Sequence, residues 1–342
     1  MTTVLVTGGT GFVGAHAVAQ LLDAGHTVRT TMRHLTRQGD VEKMLDAARA
    51  PHRERVSYLA ADLGRDDGWA QAAAGADYVL HIASPFPGAP VKHEDDLIIP
   101  ARDGALRVLR AARDAGVRRV VLTSSFAAVG YSRGNTDRVF TEADWTRTDE
   151  PGVAPYIKSK AIAERAAWDF IESEGGGLEL SVINPVGIFG PVLGPDFSPS
   201  IQIIKTMLDG GMRAAPPMWT HVVDVRDVAD AHVRAMTSPV AAGQRYLALA
   251  GAPLSFAEIG RVLHASLGEA AAKAPTRAAP AWLIKLMARF SPRLTELVPQ
   301  LNVVRRADNT KIREQLGWTP RSNEETVTAS AESLIRLGLQ AA

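Results

Sequence analysis

Three side chains have the types and spacing for acid–base chemistry on an oxygen atom: Ser125, Tyr156 and Lys160. Tyr156 and Lys160 stand four apart in a strongly helical stretch, 155–174, and so share one helix face. A phenol with a pKa near 10 carries protons poorly at neutral pH, and bringing it near 7 takes roughly 4 kcal/mol. A neighbouring ammonium favours the phenolate and supplies part of that. Ser125 closes the run Val-Val-Leu-Thr-Ser-Ser, at the carboxyl end of an expected sheet strand, where open α/β folds place their sites. Its hydroxyl there can hold a carbonyl oxygen beside the phenol. A Tyr-x-x-x-Lys pair alone is a weak signal. Its coupling to an N-terminal glycine loop and an intervening Ser-Ser strand end is a strong one.

That loop reads Thr-Gly-Gly-Thr-Gly-Phe-Val-Gly at residues 7–14, between an expected strand and an expected helix. Gly8 suits the tight turn, Gly11 the close approach of a pyrophosphate, and Gly14 the packing of helix on strand, with free N–H groups at the helix start for the phosphates. The alternative is an ordinary glycine-rich turn. From Thr27 to Gln38 there is no acid to hold a ribose 2′-hydroxyl, whereas Arg29, Arg33, His34 and Arg37 are present. Arg33 and Arg37 suit a 2′-phosphate, so NADP is favoured over NAD; a solvated basic loop is the other reading. Asp62 is placed either to reach an adenine amino group or as a solvated turn residue. His81 reads as a hydrogen-bonded core histidine rather than a catalyst.

The elements that must carry these residues alternate. Strands are expected at 3–7, 27–32, 56–60, 78–83, 120–124 and 180–184, with helices at 12–24, 65–74, 97–115 and 155–174. Gly25, Gly75 and Gly116 stand where helices should end. The runs VLV, YVLHI and VVL are continuously apolar, as strands buried on both faces should be. The fold class is α/β, a doubly wound parallel sheet of Rossmann type with a smaller C-terminal substrate lobe. The expected organisation is a dinucleotide-binding domain over 1–185, with returns near 221–237 and 245–250, and a lobe mainly from 186–342. Within it, 187–199 reads as a Pro/Gly-rich loop, 200–209 and 225–236 as helices, 221–223 and 245–249 as strands, and 271–280 as a linker. A helix opens at Ser255, and Asn309 or Thr310 caps the helix reaching Leu316.

Composition narrows the chemistry further. The 342 residues carry 38 basic and 37 acidic side chains, a net charge of +1, which argues against nucleic acid as a partner. There is no cysteine, so disulfides, thiolate metal sites and thiol nucleophiles are impossible from this chain. No metal site is expected. No stretch reads as a membrane span or a targeting segment, and a soluble cytoplasmic protein, monomer or homodimer, is the expectation.

These residues resemble the extended short-chain dehydrogenase/reductases, in the branch holding dihydroflavonol reductases, cinnamoyl-CoA reductases and methylglyoxal/aldehyde reductases. The stretches that carry the resemblance are TGGTGFVG (7–14), Arg33 and Arg37, Asp62-Leu63, LHIASPF (80–86), LTSSFAAV (122–129), YIKSKAIAERAAWDF (156–170), INPVGIFGP (183–191), VDVRDVADAH (223–232) and DNTKIREQLGWTP (308–320). The resemblance implies a catalytic Ser125, Tyr156 and Lys160, with Tyr156 protonating a substrate carbonyl as NADPH delivers hydride. Lys160 would hold the nicotinamide ribose and lower the tyrosine pKa. Cofactor contacts are implied at Gly8, Gly9, Thr10, Gly11, Phe12, Val13, Arg33, Arg37, Asp62, Leu63, Ala83, Pro185, Ile188 and Ser200, the last three at the nicotinamide end.

Three departures bear on the substrate. Asp103-Gly104 stands where many relatives have Asn-Gly, which puts a proton relay through an asparagine in doubt. Ala154-Pro155-Tyr156 replaces the cinnamoyl-CoA reductase signature, and Gly130 replaces the polar residue that flavonoid reductases carry five positions past the serine. The likeness is therefore closer to the broad aldehyde/ketone reductases. Phe86, Phe126, Val186, Met218 and Trp219 are the expected substrate lining, an apolar set suited to hydrophobic or aryl carbonyls; Met218 and Trp219 read equally as lobe core. An NADPH-dependent carbonyl reductase is the leading reading. An NAD-dependent sugar-nucleotide epimerase or dehydratase and a non-catalytic NADP-binding sensor are the alternatives.

Overall fold

The structure, a computed structural model, describes residues 2–85, 93–132 and 138–339, without the side chains of Pro292, Arg293 and Glu296. In chain order the elements are β1 (Thr3–Thr7), α1 (Phe12–Asp23), β2 (Thr27–Met32), α2 (Gln38–Ala47), β3 (Val56–Ala60), α3 (Trp69–Ala73), β4 (Tyr78–His81), α4 (Asp95–Asp114) and β5 (Arg119–Thr123). There follow β6 (Val139–Phe140), α5 (Pro155–Glu174), β7 (Glu179–Pro185), β8 (Gly187–Phe189), α6 (Pro199–Leu208), β9 (Trp219–Thr220), β10 (Val222–Asp224), α7 (Val225–Thr237) and β11 (Gln244–Ala248). The chain ends with β12 (Leu254–Ser255), α8 (Phe256–Leu267), α9 (Ala281–Ala288), α10 (Pro292–Leu297), β13 (Arg306–Ala307), α11 (Thr310–Leu316) and α12 (Asn323–Arg336).

Seven strands form one parallel sheet in the order β11-β7-β5-β4-β1-β2-β3. Successive strand side chains face opposite sides, so a continuously apolar strand feeds two cores at once. Val4 and Val6 enter one core with Val18 and Leu22 of α1 and Val228 and Ala231 of α7; Leu5 enters the other with Trp69, Leu109 and Phe170 from α3, α4 and α5. A third apolar cluster lies between α6, α8 and α12, around Ile204, Ile259 and Leu334. Ser255 opens α8 with reciprocal bonds: its hydroxyl accepts from the Glu258 N–H at 3.2 Å, and the Glu258 carboxylate accepts from the Ser255 N–H at 2.7 Å.

Several elements differ from the sequence reading, for local reasons. The helix expected over 65–74 starts only at Trp69, because Gly68 takes a left-handed φ of +84° and the Trp69 indole N–H ties back to the Asp62 and Arg65 carbonyls, each at 3.0 Å. The fourth strand stops at His81, since the Ile82 and Ala83 amides turn to the Thr7 hydroxyl at 3.0 and 2.9 Å. The presumed loop 187–199 contains β8, which pairs in parallel with β10. The presumed linker 271–280 is packed: Ala271 and Ala274 are buried, and a Cβ on Gly260 would lie 1.9 Å from the Pro275 carbonyl oxygen. At α11, Asn309 stands at the N-cap as expected but without a side-chain cap bond: its amide donates to the Leu249 carbonyl at 2.7 Å, and Asp308 accepts from the Thr310 N–H. Helix α2 was not anticipated.

Candidate active site

β1 lies between β4 and β2, the point where strand order reverses, so the chain leaves β1 and β4 toward opposite faces and opens a crevice at their carboxyl ends. The glycine loop fills one side of it. Gly8 has φ +77°, and the N–H groups of Gly8 and Gly9 donate to the Thr31 carbonyl at 3.1 and 3.3 Å. Gly11 caps α1 in extended conformation with no side-chain hydrogen bond, so the first-turn N–H groups and the positive helix end are left for a ligand. A Cβ on Gly14 would sit 2.1 Å from the Gly8 carbonyl oxygen, and one on Gly9 2.1 Å from Thr30 Oγ1. The close approach at Gly14 is thus to the loop's own backbone rather than to the strand. Thr10 and Gly11 are half-exposed at the rim, while Val13 is buried in the core. A cradle that only glycine backbone leaves open, against an uncapped helix start, fits a pyrophosphate.

The arginines divide. Arg33 follows β2 directly, is exposed, and forms no ion pair among the described residues. Arg37 is held by two carboxylates, Asp40 at 2.9 Å and Asp196, so its guanidinium is less available than that of Arg33. Arg29 donates to the Ala72 and Ala74 carbonyls. Asp62 accepts the Gly64 N–H at 2.9 Å, and Ala83 lies against the loop, 3.0 Å from where a Gly8 Cβ would stand. Leu63 packs on α4 at Gly104, where an added Cβ would meet it at 2.9 Å; neighbouring Asp103 bonds Arg102 at 2.7 Å.

Ser125, Tyr156 and Lys160 come together at the end of β5 and the start of α5. The Ser125 hydroxyl hydrogen-bonds the Tyr156 phenol and accepts from the Ala127 N–H at 3.1 Å. Lys160 Nζ donates to Ser84 Oγ at 2.6 Å and lies 5.5 Å from the Tyr156 ring centroid. Burial, with Tyr131 adding to it and the Ser125 bond opposing, pushes the Tyr156 phenol up to about 12. Burial also pushes the Lys160 ammonium down to about 8. The expectation that the lysine lowers the tyrosine pKa is therefore corrected for the protein alone: desolvation of the phenolate wins. His81 is a core histidine. The Thr7 hydroxyl accepts from two amides, so its proton goes to His81 Nδ1 at 2.9 Å, and burial lowers the imidazole to about 3.

Behind Ser125 lies a buried polar group. The Glu164 carboxylate accepts from Ser124 at 2.5 Å, Asn184 at 2.7 Å and Arg245 at 2.5 Å, and Asn184 also donates to the Ser125 carbonyl at 3.2 Å. Arg245 stacks on Trp145, 3.6 Å from its centroid. Arg245→Ala would strand a fully buried carboxylate, and a loss of about 3–5 kcal/mol is expected in urea unfolding. The double variant Glu164→Gln with Arg245→Met should recover much of it; an unaltered single variant would refute the coupling.

The expected substrate lining is only partly assembled. Phe126 is a correction: it is 4% exposed and packs with Val129, Phe140 and Leu247, its ring folded over Gly130, where a Cβ would meet it at 2.4 Å. Phe86 lies outside the described residues. Val186 is half-buried between two cores, and Met218 packs against the α6–α8–α12 cluster, while Trp219 is half-exposed in β9. Pro185 ends β7, Ile188 offers its carbonyl to Ser198 at 2.9 Å, and Ser200 stands in the first turn of α6, whose cap is Ser198. Sequence reasoning missed Ser84, Tyr131 and Glu164. Ser84 lay within the LHIASPF stretch (80–86), and Glu164 was the next i+4 step after Tyr156 and Lys160 on one helix face.

Residues 4–248 match the NAD dependent epimerase/dehydratase family. The chain is 33% identical to ketoreductase azaE of Aspergillus niger over 353 residues, covering 97% of each chain. It is 35% identical to cinnamoyl-CoA reductase 1 of Arabidopsis thaliana over 250 residues, 72% of this chain and 70% of that one. Its structure superposes on yeast methylglyoxal/isovaleraldehyde reductase Gre2, solved in complex with NADPH, with a TM-score of 0.79 and 26% identity over 99% of this chain and 100% of the other. Among the described residues no helix is long and apolar enough to cross a membrane.

Proposed function

Because the chain belongs to the NAD dependent epimerase/dehydratase family, the extended short-chain dehydrogenase/reductases, we propose that it is an NADPH-dependent reductase of aldehydes and ketones, able to oxidise the alcohols in reverse. The observation that carries this reading is the Ser125–Tyr156 hydrogen bond beside Lys160, at the carboxyl edge of the sheet that also bears the glycine loop. The ketoreductase and the NADPH-bound reductase among its relatives support it. The missing acid after β2 disfavours an NAD-using epimerase.

Gly8 to Val13 would hold the pyrophosphate, Arg33 the 2′-phosphate with Arg37 in support, and Asp62 and Leu63 the adenine side. Ala83, Lys160, Pro185, Ile188 and Ser200 would hold the nicotinamide riboside. When bound, the dinucleotide supplies the hydride to the carbonyl carbon. Tyr156 gives its proton to the carbonyl oxygen, Ser125 holds that oxygen in place, and the Lys160 cation stabilises the phenolate left behind. Purified protein with NADPH and a panel of aldehydes, α-dicarbonyls and aryl ketones should consume NADPH; no turnover with any carbonyl would overturn the reading. NADPH should exceed NADH in kcat/KM, and Arg33→Ala should cost about tenfold with NADPH, more than Arg37→Ala, whose guanidinium is already paired. Equal use of NADH by the wild type would contradict the assignment.

The two shifted groups also set a pH dependence. With its pKa near 12, Tyr156 stays protonated, the form that reduction consumes; with its pKa near 8, Lys160 loses its charge above that pH. Reductive kcat/KM should be level below neutrality and fall by about tenfold per pH unit once well above 8. The inflection should vanish in Lys160→Met. A rise in reduction between pH 8 and 10 would contradict it.

A further inference from the structure

Arg305 stands apart from the other enclosed arginines. Arg119, Arg226 and Arg245 each meet a carboxylate, on Glu179, Asp224 and Glu164. Arg305 is half-buried, burial pushes its pKa down, and it has no acidic partner among the described residues. Among the described residues its one side-chain hydrogen bond goes from Nη1 to the neutral Gln300 Oε1 at 2.9 Å. A guanidinium has five N–H donors in a planar fork, so most of its capacity is left over. Partly shielding such a charge from water without a counter-charge costs stability, while its unpaired donors stay accessible, so an anion supplied from outside could reach and offset it.

The position of that fork is set by the substrate side of the crevice. Its carbon lies 4.4 Å from the centroid of the Tyr131 ring. Tyr131 in turn packs with Tyr156 against Ala127, Val153 and Ile157, and meets the Phe126 ring edge-on at 5.7 Å. The segment bearing Arg305 is tied down beside Met218 and Trp219. The Asn302 N–H donates to the Pro217 carbonyl at 2.8 Å, and His221 Nε2 lies 2.9 Å from the Arg305 carbonyl oxygen. One aromatic ring therefore separates a guanidinium without a carboxylate partner among the described residues from the proposed proton donor. The 2′-phosphate is assigned above to the arginine at the end of β2, which leaves this cation available to the carbonyl substrate rather than to the cofactor.

We propose that Arg305 reads a carboxylate on the substrate, so that the enzyme acts on aldehydes or ketones that also carry an acid group. This rests on the reductase reading above, and sharpens the apolar pocket that the sequence suggested into one with a cationic end.

The test compares acids with their own methyl esters at saturating NADPH: 4-oxobutanoate and 4-carboxybenzaldehyde, each against its ester, in wild type, Arg305→Gln and Arg305→Lys. The wild type should favour the acid by about tenfold or more in kcat/KM. Arg305→Gln should lower that acid-to-ester ratio by about 10- to 100-fold, mainly through KM, and Arg305→Lys should restore part of it. Esters reduced as well as or better than acids by the wild type would overturn the proposal, whatever the variants do. An unchanged ratio in a folded, NADPH-binding Arg305→Gln would overturn it too. Ester turnover without acid turnover sinks Arg305 alone, whereas no turnover of either, nor of any other carbonyl, sinks the reductase reading with it.

Discussion

Tyr156→Phe is expected to bind NADPH as tightly as the wild type and to lose about 10³-fold or more of the reductive kcat, at the upper part of what a positioned acid contributes. The substitution removes one oxygen, the atom that hydrogen-bonds Ser125. It keeps the ring, which packs with Tyr131 against Ala127, Val153 and Ile157, so stability should hardly change. The phenol is enclosed, and its neighbours are poor replacement acids: His81 is neutral and bonded to Thr7, Lys160 is committed to charge stabilisation, and burial pushes the adjacent Tyr131 phenol up. Steady-state kinetics with a good aldehyde, alongside a fluorescence titration of NADPH, separates the two effects. Wild-type rates in this variant would remove Tyr156 from the chemistry.

Gly14→Val should weaken NADPH binding by about 100-fold or more and lower the Tm. The first added carbon would stand 2.1 Å from the Gly8 carbonyl oxygen and 2.9 Å from its carbon. Both are backbone atoms of the turn that the Gly8 and Gly9 amides anchor to Thr31, so neither can swing aside. The loop or the start of α1 must move, and the phosphate cradle is made of both. Gly39→Ala in α2 is the control: nothing lies within 4 Å of its Cβ, and removing a helical glycine should stabilise by up to about 1 kcal/mol. Unaltered NADPH affinity in a folded Gly14→Val would show that the dinucleotide binds elsewhere.

What could be read along the chain and what could not follows from distance in sequence. The glycine loop, the helix carrying Tyr156 and Lys160, and strands β1, β2 and β3 are local patterns, and each stands at the residues expected. The pairings that decide how the site behaves are not local. Arg37 meets Asp196, Lys160 meets Ser84, and Arg245 reaches back to Glu164. Phe126 was expected in the substrate lining. Its ring turns inward because Gly130, four residues on, leaves room for it. β8 hid in a Pro/Gly-rich stretch because three residues suffice when β10 is beside them. The rise of the Tyr156 pKa was invisible for a related reason, since burial belongs to the assembled molecule and no motif encodes it.

The most direct measurement of the central claim follows the transferred hydrogen. NADPH labelled with deuterium at one face of nicotinamide C4, then at the other, is incubated with an aldehyde, and the alcohol is analysed by mass spectrometry and NMR. Deuterium is expected on the carbinol carbon from one face only, in wild type and not measurably in Tyr156→Phe over the same time. An alcohol formed without the label from either face, or no alcohol with any carbonyl tried, would contradict it.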